Sequence, residues 1–94
     1  MHVVVRQYEG ASELAEVMTE RADEVKERLT SVDGFVAYYA VRGEGDRVTT
    51  VSICRDSAGT EETTRRAAAL VQEMLPGTSM SPPQVGTGEV VISF

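Results

Sequence analysis

Ninety-four residues fit one domain and leave no room for a second hydrophobic core. With 41% hydrophobic and 26% charged residues and no low-complexity tract, the chain has the composition of a globular protein rather than a disordered one. Fifteen acidic against nine basic side chains give a formal charge of −6, which repels phosphate backbones and anionic headgroups, so neither nucleic acid nor a membrane is expected as a partner.

The first element expected is a strand over His2 to Tyr8, short, valine-rich and bounded by Glu9-Gly10. Leu14, Val17, Met18, Ala22, Val25, Leu29 and Val32 then recur at spacings of three and four, which predicts a single helix of roughly 20 residues with one apolar stripe. Ser12 is its expected N-cap, and Asp33-Gly34 ends it. Phe35 to Val41 is aromatic and β-branched and reads as a second strand. Gly43-Glu44-Gly45-Asp46 supplies a tight reversal, and Arg47 to Arg55 alternates as the returning strand of a hairpin.

Asp56 or Ser57 caps a second helix whose buried stripe is Ala67, Leu70, Val71 and Met74, and Pro76-Gly77 stops it. Ala67-Ala68-Ala69 would allow close approach of this helix to the sheet. Pro76 to Gly88 forms a long turn-rich connection of the kind that usually carries function, and Glu89 to Phe94 closes the sheet. The order is βαββαβ over residues 1–94, a ferredoxin-like α+β domain with a four-stranded antiparallel sheet and two helices on one face.

With Val41 opposite Val48, the hairpin register places Phe35, Ala37, Tyr39, Val48, Thr50 and Cys54 on one face and Val36, Tyr38, Ala40, Val51 and Ile53 on the other. Two helices cover one face of such a sheet, and neither face is polar enough to stand in water. A second copy of the chain is the simplest cover, so a homodimer is expected.

Cys54 is the only cysteine, which rules out an internal disulfide or a thiolate cluster for a metal and suits a reducing, cytoplasmic setting. The apolar run of Val3-Val4-Val5 is too short for a signal peptide, and no run approaches a membrane span, so the chain is expected to be used as written. There is no GxGxxG, phosphate-binding loop, HExxH or CxxC, and neither a nucleotide nor a metal cofactor is expected.

The strand order, the Asp33-Gly34-Phe35 to Tyr39 segment and the Cys54-Arg55-Asp56 turn into the second helix resemble the dimeric α/β-barrel superfamily, within it the antibiotic biosynthesis monooxygenase-like proteins. The resemblance implies a dimeric barrel and a cavity between helices and sheet that holds an electron-rich aromatic substrate while oxygen attacks it, without a cofactor. Haem-degrading members carry an asparagine, histidine and tryptophan set. This chain has no asparagine, no tryptophan and one histidine, so haem degradation is not expected. The aromatic that many members carry at the end of the third strand is replaced here by Ile53-Cys54-Arg55.

Four residues are candidates for the cavity. His2 is the one imidazole, able to exchange protons near neutrality. Arg6 shares a strand face with His2 and Tyr8, and a cation there would stabilise a phenolate. Tyr38 and Tyr39 point to opposite faces, and either phenol could orient a ligand. Each also has a plain structural use, in packing or surface pairing. Cys54 is expected as a half-buried core thiol, and Met18, Met74 and Met80 as core fillers. The leading reading is a small dimeric protein that binds or oxidises a small aromatic metabolite. A non-catalytic dimeric binding or stress-associated module is the alternative, and a regulatory ligand domain of the ferredoxin-like type is a third reading.

Overall fold

A computed structural model of the chain describes residues 1–77 and 81–94; Met80 lies outside the described residues. The elements are β1 (His2–Tyr8), α1 (Ser12–Glu20), α2 (Ala22–Thr30), β2 (Phe35–Arg42), β3 (Val48–Cys54), α3 (Ser57–Met74) and β4 (Gln84–Glu89). Every strand pairing is antiparallel, in the order β2-β3-β1-β4, and the helices pack on one face. This is the expected ferredoxin-like α+β fold, with α1 and α2 together standing where one helix was predicted. None of the described helices is long and apolar enough to cross a membrane.

The predicted single helix breaks at Arg21, whose ψ of 32° leaves the helical region. The break lets each half aim its own apolar residues. Leu14 packs with Tyr8, Ala11 and Val48, while Val25 and Leu29 pack with Leu70 and Met74 of α3. Three helices therefore cover the face instead of two. Ser12 is not the cap. Ala11 holds that position, buried, with its amide donated to the Asp46 carbonyl at 2.7 Å, and Ser12 is the first helical residue. Asp56 rather than Ser57 caps α3, its carboxylate accepting from the Gly59 amide at 3.0 Å.

The hairpin register is one residue away from the expected one. Gly43 and Arg47 close the turn with an amide-to-carbonyl bond of 2.9 Å, so Arg42, not Val41, lies opposite Val48. A bulge between Phe35 and Ala37 leaves Val36 exposed. Because a one-residue slip exchanges faces, Tyr38 and Ala40 join Val48, Thr50, Ser52 and Cys54 under the helices, and Ala37 and Tyr39 join Val51 and Ile53 outside.

The closing strand is also displaced. It runs Gln84–Glu89 rather than from Glu89 to Phe94, because β1 begins at His2, which already pairs with Glu89. Beyond it the Val90 amide donates to the Met1 carbonyl at 2.9 Å. Val91, Ile92 and Phe94 beyond it are exposed.

Tight contact between α3 and the sheet occurs at Gly59, not along the alanine run, of which Ala67 is buried and Ala68 and Ala69 are exposed. A Cβ at Gly59 would lie 2.7 Å from the Cys54 Cβ. Cys54 is wholly buried rather than half-buried, and its burial raises the thiol pKa. At the other end of the layer Arg66 of α3 donates to the Arg28 carbonyl at 2.8 Å and to Ser31 Oγ at 2.7 Å, satisfying the last turn of α2.

The face away from the helices carries Val3, Val5, Thr49, Val51, Ile53, Ala37, Tyr39 and Val41, with Tyr39 57% and Val41 50% exposed. This is neither of the two β2–β3 faces expected from the sequence, because the register slip moves Ala37 and Tyr39 beside Val51 and Ile53.

Candidate functional site

The alternation of β1 sends His2, Val4, Arg6 and Tyr8 toward α3. Opposite them α3 presents Thr60, Thr63 and Thr64, which continue the stripe Ala67, Leu70 and Met74 back toward its start at the same spacings of three and four. The apolar layer thereby becomes a hydroxyl layer at this end of the sheet.

Arg6 is at its centre, 1% exposed. Nη1 donates to Thr50 Oγ1 at 3.4 Å and Ser52 Oγ at 3.2 Å, and Nη2 donates to Thr63 Oγ1 at 3.3 Å and Thr64 Oγ1 at 2.7 Å. Nε has no partner among the described residues. The ion pairs found engage Arg21, Arg28, Arg47, Arg55, Arg65 and Arg66, and among the described residues no carboxylate pairs with Arg6. Burial lowers its pKa, with the Tyr8 and Tyr38 phenols and the Cys54 thiol pulling the other way. A guanidinium nonetheless stays protonated in proteins.

The hydroxyls are oriented. Thr63 and Thr64 donate to the Thr60 carbonyl at 2.7 and 3.0 Å, so both turn lone pairs to Arg6. Thr60 donates its own hydroxyl to the Ser57 carbonyl at 3.0 Å, which makes it the acceptor of the His2 Nδ1 proton at 2.8 Å. That bond fixes the orientation of the ring.

Two cavities flank this layer. A space of about 480 Å³ is bounded by Arg6, Tyr8 and Thr64 on one side and by Val71, Pro83 and Val85 on others. The connection after α3 contributes Pro76, Gly77, Ser81 and Pro82 to its wall. A second space of about 460 Å³ is bounded by His2, Thr60, Glu61 and Thr87 and shares Thr64 and Val85 with the first.

The four predicted site residues therefore part company. Arg6 and His2 lie on one strand face but open on neighbouring cavities. Tyr38 is on the same face and adjoins a smaller space of about 280 Å³ against α1 and α2. Its burial raises the phenol pKa to about 12, with the Arg6 charge and the Thr50 hydroxyl pulling it down. Tyr39 is on the opposite face of the sheet. Tyr8, on the expected face with Arg6 but outside the four candidates, joins it, its pKa raised by burial and pulled down by the same cation. Thr60, Thr63 and Thr64 were also missed, although their spacing carried the signal: a buried stripe that turns polar needs a buried polar partner.

No family model matches the chain, and no curated protein matches its sequence. Solved structures do. The heme-degrader MhuD from Mycobacterium tuberculosis, with two hemes bound in its active site, superposes with a TM-score of 0.72 at 14% identity, over 100% of this chain and 99% of that one. SnoaB, a cofactor-independent oxygenase from Streptomyces nogalater, gives 0.66 at 15% identity over 98% and 94%. A dimeric ferredoxin-like protein from an uncultured marine organism gives 0.66 at 15% identity over 99% and 95%. The chain has the fold of the antibiotic biosynthesis monooxygenase-like proteins. At these identities the likeness is one of fold, and what each relative binds stays a property of that relative.

Proposed function

We propose that this protein is a homodimer that binds a small aromatic metabolite in the cavity between α3, β1 and β4 and oxidises it with dioxygen, as a cofactor-independent monooxygenase. The observation that carries this reading is the cavity itself. Its volume of about 480 Å³ suits a compact polycyclic or substituted aromatic, and its walls combine Ala68, Val71, Leu75, Pro82, Pro83 and Val85 with a few polar groups, Arg6, Tyr8 and Gln72. The fold supports the reading because a cofactor-independent oxygenase shares it. Haem does not suit the residues present. Among the described residues the cavity wall holds no imidazole or thiol, and burial keeps the Tyr8 phenol protonated.

The open sheet face supports the homodimer. An aliphatic centre of Val3, Val5, Val51 and Ile53 is the kind of surface that a second copy covers. Light scattering at micromolar concentration should give the mass of a dimer for the native chain and of a monomer for Val51→Glu; a monomeric native protein would overturn this part. A buried thiol without a disulfide partner suits a cytoplasmic setting.

Oxygen uptake with aromatic quinols and phenols, run beside a thermal-shift titration, tests the activity. Saturable stabilisation with oxygen consumption is expected. Saturable binding without uptake would instead favour the second reading, a non-catalytic dimeric binding module. One observation speaks for that reading: Tyr8 and Tyr38 are held protonated at neutral pH, and His2 opens on the neighbouring cavity, so among the described residues no side-chain proton acceptor converges with Arg6.

A further inference from the structure

The geometry points to a ligand that carries a carboxylate, received by Arg6 in the wall of the α3, β1 and β4 cavity. The inference rests on the small-molecule reading above and narrows it from any aromatic to an aromatic acid.

Arg6 is a cation 1% exposed, in a chain with fifteen acidic residues, and none of them is placed beside it. A guanidinium kept only to hold helix and sheet together is best served by a carboxylate, which neutralises the charge and fills the fork of donors. Here the sequence supplies hydroxyls instead. Thr50, Ser52, Thr63 and Thr64 occupy the four Nη hydrogens, soften the charge without cancelling it, and leave the Nε hydrogen unmet among the described residues. A buried donor without an acceptor is uncommon enough to require an explanation, and an incoming acceptor supplies one.

Arg6 lines the cavity, and the vacant donor is buried just behind that wall. Nε and Nη2 share one edge of the guanidinium, and Nη2 is bonded to Thr64, which itself lines the cavity. Of the two Nη2 acceptors Thr64 lines the cavity and Thr63 does not, so the bond to Thr64 is the one an incoming oxygen would exchange. A carboxylate docking there meets two parallel N–H donors, and its aromatic body extends toward Val71, Pro83 and Val85. A simple phenol does not serve equally well. Its pKa of about 10 keeps it neutral at physiological pH, whereas a carboxylic acid near 4 is fully charged.

The test compares 1-naphthoate with 1-naphthol, which share a ring system and differ in charge, by isothermal titration of the full-length protein at neutral pH. Naphthoate is expected to bind at least tenfold more tightly. Arg6→Met should abolish the preference, and Ala68→Trp, which fills the cavity from an exposed position on α3, should abolish binding of both. Because Arg6→Met removes a buried group, the native protein provides an independent readout. Its Arg6 Nε–H resonance should shift on saturation with naphthoate, and an unmoved resonance would overturn the assignment whatever the variant does. Equal affinity for the two probes would overturn the carboxylate while leaving the aromatic cavity standing. Failure of both probes to bind would remove the cavity reading and the carboxylate with it.

Discussion

The helix-covered layer is built on opposite rules at its two ends. Where α2 and α3 meet β2, Val25, Leu29, Leu70 and Met74 form an aliphatic cluster, with Phe35 and Tyr38 packed against it. Where the start of α3 meets β1 and β3, the layer is filled by Arg6, Ser52, Thr50, Thr60 and Thr63, all buried. The two ends are one continuous stack along the same helix, so the change is one of side chains and not of architecture. Aliphatic packing gains from every methylene removed from water, while a buried cation among hydroxyls gives back much of that gain in desolvation. The polar end is therefore the half of the layer that adds less to stability.

The largest effect expected from this contrast lies at the aliphatic end. Leu29 is 1% exposed and touches residues from α2, α3 and β2. Leu29→Ala should lower the free energy of unfolding by about 2–5 kcal/mol, from lost transfer energy and the cavity left behind. Urea denaturation measures it. A loss under about 1 kcal/mol would mean that this end is not the stabilising half and would break the comparison.

Tyr38, at the border of the two ends, gives the next largest effect. Its phenol is shifted by burial from 10.0 to about 12. A raised pKa on an acid means that the fold favours the neutral form. The contribution is thus fully present below pH 10 and is lost as pH rises through about 12, which by linkage amounts to about 2–3 kcal/mol. Tyr8 is shifted in the same direction and adds to the loss. Stability should fall between pH 10 and 12, and Tyr38→Phe should flatten that fall. The phenolate absorbance of the native protein should also lag behind that of the unfolded chain. Coincident titration curves would show that Tyr38 is open to water.

The contrast also explains what could be read from the amino-acid sequence. Element order was legible because valine-rich strands and a period of three and four are written residue by residue. The aliphatic end was legible too, since Leu29, Leu70 and Met74 announce themselves. The break at Arg21 was not, because both halves keep the apolar spacing and only packing in three dimensions decides where the helix turns. The hairpin register slipped by one for a related reason: the Gly43 to Arg47 bond that sets it is made by backbone groups, which any residues there could supply. At the site, Arg6 was singled out by its strand face, but its partners come from β3 and α3, some 44 to 58 positions away. Threonine reads as a strand former or a solvated residue when taken alone, and its meaning on α3 depends on what lies opposite.

The smallest effect expected belongs to the start of α3. The Asp56 carboxylate accepts the Gly59 amide at 3.0 Å, and Gly59 lies tight against Cys54 at the end of β3. Asp56→Ala should cost about 1 kcal/mol, the usual worth of an N-cap. Its consequence is more specific than its size, because the turn it holds also carries Thr60, to which His2 Nδ1 is bonded at 2.8 Å. Loosening that turn should release the imidazole. The His2 ring signals, followed by NMR, should therefore broaden or shift in Asp56→Ala and remain as in the native protein in Leu29→Ala, which lies at the other end. If both variants disturbed His2 alike, the two ends would be a single cooperative core and the division of labour drawn between them would fail.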